Sequence, residues 1–366
     1  MLAIGLMSGT SLDGIDAALI ETDGEALVRP LAFRGEPYSE AARAQLAEAT
    51  SLALTFERPR ANPDVMAAAD LITRTHVFAV QKLLRDAGRS ADEIGVIGFH
   101  GQTVAHRPDR GWTWQIGDGQ ALADATGIVT VADLRSADVA AGGQGAPLLP
   151  VYHDALTAGL ERPLAVLNLG GVANITWIGT AGALVAYDTG PANGLIDSWV
   201  GQETGARFDA GGALASVGRV DEAVLTAMLD HPFFAQPAPK SLDRNDFTIQ
   251  PARGLAPADG AATLTAFTAA TVAEALLQLP ERPRRLLVGG GGRHNPVMLA
   301  MIADRTGLIP EPVDALGWNG DGIEAEGFAY MAVRSLKGLP ISFPGTTGVP
   351  SPATGGVVHR PQQRHI

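Results

Sequence analysis

Cysteine is absent from the 366 residues. Its absence removes disulfides, thiolate nucleophiles and cysteine-ligated zinc or iron–sulfur clusters from consideration. Basic residues are in the minority, with 27 Lys and Arg against 39 Asp and Glu and a formal charge of −12. A chain so charged has no general grip on a phosphate backbone, so no nucleic-acid partner is expected. No run of about 18 apolar residues occurs, and the first residues lack the basic segment and continuous apolar core of a secretory leader. Neither a membrane span nor export is therefore expected, and the reading is cytoplasmic. G-x-x-x-x-G-K-[ST] is missing too, as is G-x-G-x-x-G, which excludes a P-loop and weakens a dinucleotide fold.

What is present is glycine, 44 residues of it, gathered into GTSLDG, GDGQ, AAGGQG, LGG, VGGGGRHN, FPGTTG and ATGGVV. Glycine clusters joining apolar runs suggest backbone-lined loops rather than a flexible or fibrous chain. The hydrophobic share of 46% and charged share of 18% are those of a globular protein, and the length accommodates one domain or two.

AIGLMS, IDAALIE and EALVRPLAF read as a β-meander, with a glycine turn and then Asp23-Gly24 between them. Residues 39–54 and 64–87 read as helices, Asp64 as a cap and Gly88 as a stop. IGVIGFHG, WTWQI and IVTVAD read as strands, with a short helix in GDGQALADATG. Near residue 164 the opening pattern returns, since LAVLNLGGVANITWIG is again strand, glycine turn and strand. Two similar domains are therefore expected. Strands follow at ALVAYDTG and RRLLVGGGG, with helices from Asn193, at 263–279, at 295–306 and at 322–337. The apolar residues of the Pro/Gly-rich tail favour an ordered terminal wrap.

Several of these turns carry candidate chemistry. In GTSLDG, Gly9 and Gly14 let an anion approach the backbone, and Thr10 and Ser11 add hydroxyl donors. Asp13 or Asp16 could orient water around Mg²⁺, which prefers oxygen ligands. LNLGG has the same logic, and the glycines of VGGGG suit a flat or charged ligand as well as close strand–helix packing. Asp188 in DTGPAN, at a strand end, fits either a general base or a turn cap. FHGQTVAH and ADLRSADVAAGGQG contribute His100, Gln102 and Arg135, with Arg135 suited to bidentate pairing with a carboxylate. Asp321 and Glu324 open the long helix, where acids complement the dipole. His100 and His106 lack a third ligand nearby, so no protein metal centre is expected.

MSGTSLDGID, GFHGQT, QIGDG, ADLR with AAGGQGAPL, LNLGG, DTGPAN, VGGGG, the IEA of GDGIEAEGFAYMA and FPGTTG, in this order, closely resemble the anhydro-N-acetylmuramic acid kinases. The resemblance implies an α/β fold of two ribonuclease-H-like (actin-like ATPase) domains flanking a nucleotide cleft. We draw them at 1–140 plus 341–366 and at 141–340. It implies ATP and Mg²⁺ as cofactors and 1,6-anhydro-N-acetylmuramic acid, ATP and water as small-molecule partners, with homodimers common. It also implies an ATP site of Gly9, Thr10, Ser11, Leu12, Asp13, Gly14, Ile15, Asp16, Gly170, Gly171, Gly290, Gly291 and Gly292. Asp188 becomes the catalytic base, and His100, Gln102, Arg135 and Glu324 the sugar contacts. The alternative is an actin-like ATPase acting on another sugar or controlling protein binding. A two-carboxylate glycosidase would leave the glycine turns unexplained.

Overall fold

A computed structural model describes residues 1–242 and 246–362. The chain opens with β1 (Leu2–Ser8), β2 (Gly14–Thr22) and β3 (Val28–Pro37), the expected antiparallel meander. α1 (Glu40–Ala53) and α2 (Pro63–Ala87) follow. α2 is capped by Asn62, whose side chain accepts from the N–H groups of Asp64 and Val65, so the cap is one residue before Pro63 and not Asp64. Gly88 ends it in the left-handed region, as expected. β4 (Ile94–Arg107), β5 (Trp112–Ile116), α3 (Gly119–Thr126), β6 (Thr130–Ala132), α4 (Ser136–Ala140) and α5 (Pro150–Leu156) complete this stretch.

The pattern then repeats. β7 (Leu164–Leu169), β8 (Val172–Ile178) and β9 (Leu184–Pro191) form a second antiparallel meander. It leads through α6 (Asn193–Thr204), α7 (Glu222–Leu229) and α8 (Pro257–Leu277) to β10 (Arg285–Gly289), α9 (Pro296–Thr306) and β11 (Pro310–Pro312). α10 (Ile323–Leu336), α11 (Pro344–Thr347) and β12 (Val357–His359) close the described chain.

The strands form two sheets, ordered β12-β6-β4-β1-β2-β3 with β5 on β4, and β11-β10-β7-β8-β9. Reading from each meander, both place the first strand between its antiparallel partner and a parallel strand, β1 beside β4 and β7 beside β10. A further parallel strand lies outside each, β6 in one and β11 in the other. This shared order is the ribonuclease-H-like arrangement, present twice.

Two compact units result, Met1–Ala158 with the chain from Gly322 onward, and Gly159–Asp321. The sequence-drawn joints at 140/141 and 340/341 differ from these for a packing reason. α10 lies on β1, β2 and β4, and α5 meets α10 where the Tyr152 hydroxyl donates to Glu326 at 2.5 Å. Both helices therefore belong to the first unit. The tail is ordered as expected, with β12 pairing antiparallel to β6.

In the first unit, Ile4, Leu6, Ile72, Val80 and Ile97 share one core between the sheet and α1–α2. α10 approaches the other face so closely that a Cβ on Gly5 would stand 1.7 Å from the Ala325 carbonyl oxygen, and one on Gly98 2.0 Å from that of Phe328. Gly5→Val must push backbone from backbone, and overpacking of this kind costs about 3 kcal/mol or more. A fall in melting temperature of roughly 6 °C or more is expected in a thermal melt. In the second unit, Trp199, Phe267, Leu286 and Val288 anchor the core. α8 is long and apolar enough to cross a membrane by length and composition, but 78% of that stretch is buried inside the protein. Core burial accounts for its composition.

Candidate active site

In the first unit, residues 9–13 link β1 to β2. The Leu12 N–H donates to the Gly9 carbonyl at 3.2 Å, and Leu12 takes a φ of 57°. The turn is thus folded back on itself and longer than a hairpin requires. Ser8 braces it from below, donating to Gln102 Oε1 at 2.6 Å and hydrogen-bonding the Tyr38 hydroxyl at 2.8 Å. Gln102 Nε2 in turn donates to the Gly9 carbonyl at 3.2 Å. Gln102 is fully buried and its amide is taken up by the loop, so it supports the turn rather than reaching a sugar. Thr10, Ser11 and Asp13 are exposed, and Leu12 and Asp16 are half-buried. Ile15 is a core residue, so only its backbone is available to a ligand. A Cβ on Gly9 would meet the Ser11 hydroxyl at an unstrained 3.6 Å, whereas one on Gly14 would stand 2.4 Å from the Glu36 carbonyl, so Gly14 serves strand pairing.

In the second unit, the glycine turns converge. Gly170 and Gly171 follow β7, Gly290 to Gly292 follow β10, and these parallel neighbours release both turns at one edge of the sheet. That edge, at the carboxyl ends of parallel strands, is where α/β sheets bind ligands. Gly290 has a φ of 72°, and a Cβ there would come within 2.5 Å of Asn168 Oδ1 and 2.7 Å of the Leu169 carbonyl. Asn193 stitches the turns together, its Nδ2 donating to Leu169 O at 2.9 Å and its backbone N–H to Gly170 O at 3.0 Å. Arg293, which the sequence reading passed over, holds the third side. Its buried guanidinium donates to Asp314 at 2.7 Å, Asp321 at 2.9 Å and the Gly290 carbonyl at 3.1 Å. Asp321 is therefore an ion-pair partner rather than the cap of α10.

Asp188 lies on β9, in register with Asn174 of β8. Its backbone N–H donates to the Lys240 carbonyl at 3.0 Å, and its carboxylate accepts the Leu242 N–H at 2.7 Å. Part of the side chain is open to solvent, while protein atoms crowd the carboxyl. Burial raises its pKa to about 7 against the opposing pull of the Leu242 N–H. A carboxylate so tuned can take a proton near neutral pH.

His100, Arg135 and Glu324 come together in the first unit. His100 is buried and donates from Nδ1 to the Gly101 carbonyl at 2.9 Å. Its Nε2 then accepts from Arg135 Nε at 3.2 Å and Nη2 at 3.1 Å. Burial, and next the Arg135 charge, hold the His100 pKa well below its ordinary value, so the ring is a neutral acceptor. Arg135 Nη1 donates to Gly145 O at 2.8 Å, and the guanidinium lies beside the Phe328 ring. Burial lowers its pKa to about 10, and the Glu324 carboxylate at the start of α10 is the largest influence keeping it charged. Asp138 fixes the loop behind it, accepting from Gly145 N and from the Thr347 hydroxyl, each at 2.6 Å. Asp118, by contrast, is the N-cap of α3. Among the described residues, no group of three or more His, Asp or Glu could hold a metal ion.

Comparison with known proteins agrees on one family. The family description "Anhydro-N-acetylmuramic acid kinase" matches residues 1–361. The anhydro-N-acetylmuramic acid kinase of Rhizorhabdus wittichii is 70% identical over 362 residues, covering 99% of both chains. That of Zymomonas mobilis is 55% identical, covering 98% of this chain and all of its own. Among solved structures, the (R)-2-hydroxyglutaryl-CoA dehydratase component A of Acidaminococcus fermentans is 11% identical with a TM-score of 0.50, over 92% of this chain and 99% of that one. At that identity the likeness concerns the fold alone.

Proposed function

The chain belongs to the anhydro-N-acetylmuramic acid kinase family, and from that premise we propose how its residues divide the work. The reaction is the ATP-dependent opening of 1,6-anhydro-N-acetylmuramic acid by water, with phosphorylation of O6. It yields N-acetylmuramic acid 6-phosphate and ADP, a step of cell-wall recycling for which we infer a cytoplasmic enzyme. The observation that carries the assignment of roles is Asp188, a carboxylate poised near neutrality and aimed by the Leu242 N–H.

Asp188 takes a proton from water as the water oxygen bonds to the anomeric carbon. The bond from that carbon to O6 breaks, and O6 attacks the γ-phosphorus as ADP departs. The proton on Asp188 passes to solvent, so each turnover consumes one water and releases one proton. The turn of Gly9, Thr10, Ser11 and Leu12 offers donors to phosphate oxygens. Gly170 and Gly171 offer donors of the same kind, and Gly290 to Gly292 suit the adenosine. Arg135 takes the sugar's carboxylate, Glu324 accepts from a sugar hydroxyl, and His100 holds Arg135 in place. Oxygen donors at Asp13 and Asp16 suit the water shell of Mg²⁺, which would neutralise phosphate charge when bound. Holding and neutralising the phosphates is most of the catalysis in phosphoryl transfer.

The test is product formation by the purified protein. ADP release is expected only when the anhydro-sugar is added, with one equivalent of sugar 6-phosphate per ADP. ADP released at the same rate without sugar assigns the chain to the protein-controlling ATPases instead.

A further inference from the structure

The sequence PKSL at residues 239–242 lies outside every motif considered above, yet it holds both the backbone N–H and the carboxylate of Asp188. The Lys240 carbonyl accepts the Asp188 N–H, and two residues on the Leu242 N–H reaches the Asp188 carboxylate. What fixes this segment is the Lys240 side chain. It is 7% exposed, and its ammonium donates to the carbonyls of Phe233 at 3.1 Å and Phe234 at 3.3 Å. The same ammonium stands 4.7 Å from the Phe233 ring centre. Phe233 and Phe234 belong to an aromatic cluster with Phe247 and Phe267, so the carbonyls that receive the lysine sit on a packed floor. Among the described residues no acid pairs with Lys240.

An ammonium so buried, whose partners among the described residues are carbonyls and the rings of Phe233 and Tyr187, is costly to keep where any apolar side chain would fill the space. Its return is geometric. Two fixed carbonyls and the faces of Phe233 and Tyr187 determine where residue 240 sits, and residue 240 determines where the Leu242 N–H points.

We propose that Lys240 is a positioning residue for the catalytic base, acting through the Leu242 N–H to aim the Asp188 carboxylate. This rests on the reading of Asp188 given above. Among the described residues the carboxylate answers to few neighbours: Asn174 faces it from β8, Leu242 from the segment itself, and apart from that N–H only burial shifts its titration. Without the lysine the segment loosens, the N–H no longer favours the ionised carboxylate, and the base is both misaimed and harder to ionise.

Lys240→Met tests this. Turnover is expected to fall about 10- to 100-fold, with the KM values for anhydro-sugar and ATP within about threefold of wild type. The acidic limb of the pH–rate profile should move to higher pH. Lys240→Arg, able to reach the same carbonyls, should restore most of the turnover and the position of the limb. In the Asp188→Asn background, Lys240→Met should cost nothing further. Wild-type turnover and limb in Lys240→Met overturn the proposal, and so does an additive loss in the double variant. Should Lys240→Met fail to fold, Lys240→Gln decides by the same profile, an unmoved limb counting against the role. If Asp188→Asn alone keeps wild-type turnover, the reading of the base fails instead, and the two failures are told apart.

Discussion

Asp188→Asn is expected to lower turnover by about 10²- to 10⁴-fold, the range that a positioned general base supplies. The KM for ATP should change little, because no phosphate-binding role falls to β9. Asparagine keeps the shape and can still accept the Leu242 N–H, so the loss isolates proton transfer from packing. The pH dependence gives an independent reading. With a pKa of about 7, wild-type turnover should rise through neutrality as the carboxylate ionises and level off above it. In the variant that limb should vanish. Wild-type turnover in the variant would remove Asp188 from the mechanism.

The same group makes a prediction about stability with the opposite sign. The Asp188 pKa is raised from an ordinary 3.8 to about 7 in the folded protein. Between those values the folded chain binds the proton more tightly than the unfolded chain does. Stability from this group is therefore full below the ordinary value and is lost as pH rises toward 7. An asparagine side chain carries no such charge, so the Asp188→Asn variant should melt at or above the wild-type temperature at pH 8. A melt lowered by several degrees there would mean that the carboxylate stabilises the fold and that its crowding has been misjudged. Poor stability matched to good chemistry is a familiar exchange at active sites.

Much of this was legible in the chain because it depends on local patterns. Apolar runs broken by glycine turns gave both meanders, and their recurrence near residue 164 gave the doubled order of the sheets. Glycine turns that follow two parallel strands must emerge at one edge, so LNLGG and VGGGG had to meet. What stayed hidden depends on contacts between distant segments. Gln102 looked like a sugar contact because it sits in a polar turn, but its amide closes on Ser8 and Gly9 across the parallel β1–β4 pair. Asp321 looked like a helix cap, and only the path of Arg293 shows otherwise. Lys240 and Asp138 gave no signal, one lying in a loop of no regular pattern and the other acting through Gly145 and the distant Thr347. The joints between units fell elsewhere than drawn because α10 is placed by Gly5 and Gly98, which lie far before it in the chain.

Arg135→Ala is expected to cut kcat/KM for the anhydro-sugar by about 10- to 150-fold, the worth of a hydrogen bond to a charged group. A guanidinium carries five N–H groups. The bonds to His100 engage Nε and one N–H of Nη2, and the bond to Gly145 engages one of Nη1. Each terminal nitrogen keeps a second N–H, and that pair forms the fork that matches a carboxylate. Because His100 is neutral, it orients the guanidinium without competing for the substrate's charge. Lysine cannot serve His100, Gly145 and a carboxylate together, so Arg135→Lys should fare nearly as badly as alanine. The partner is identified by changing the substrate in parallel. An anhydro-sugar whose lactyl carboxylate has been converted to the neutral amide should lose the same factor with the wild-type enzyme and nothing more with Arg135→Ala. If the amide costs both enzymes equally, the fork holds some other part of the sugar, and the assignment of the carboxylate moves away from Arg135.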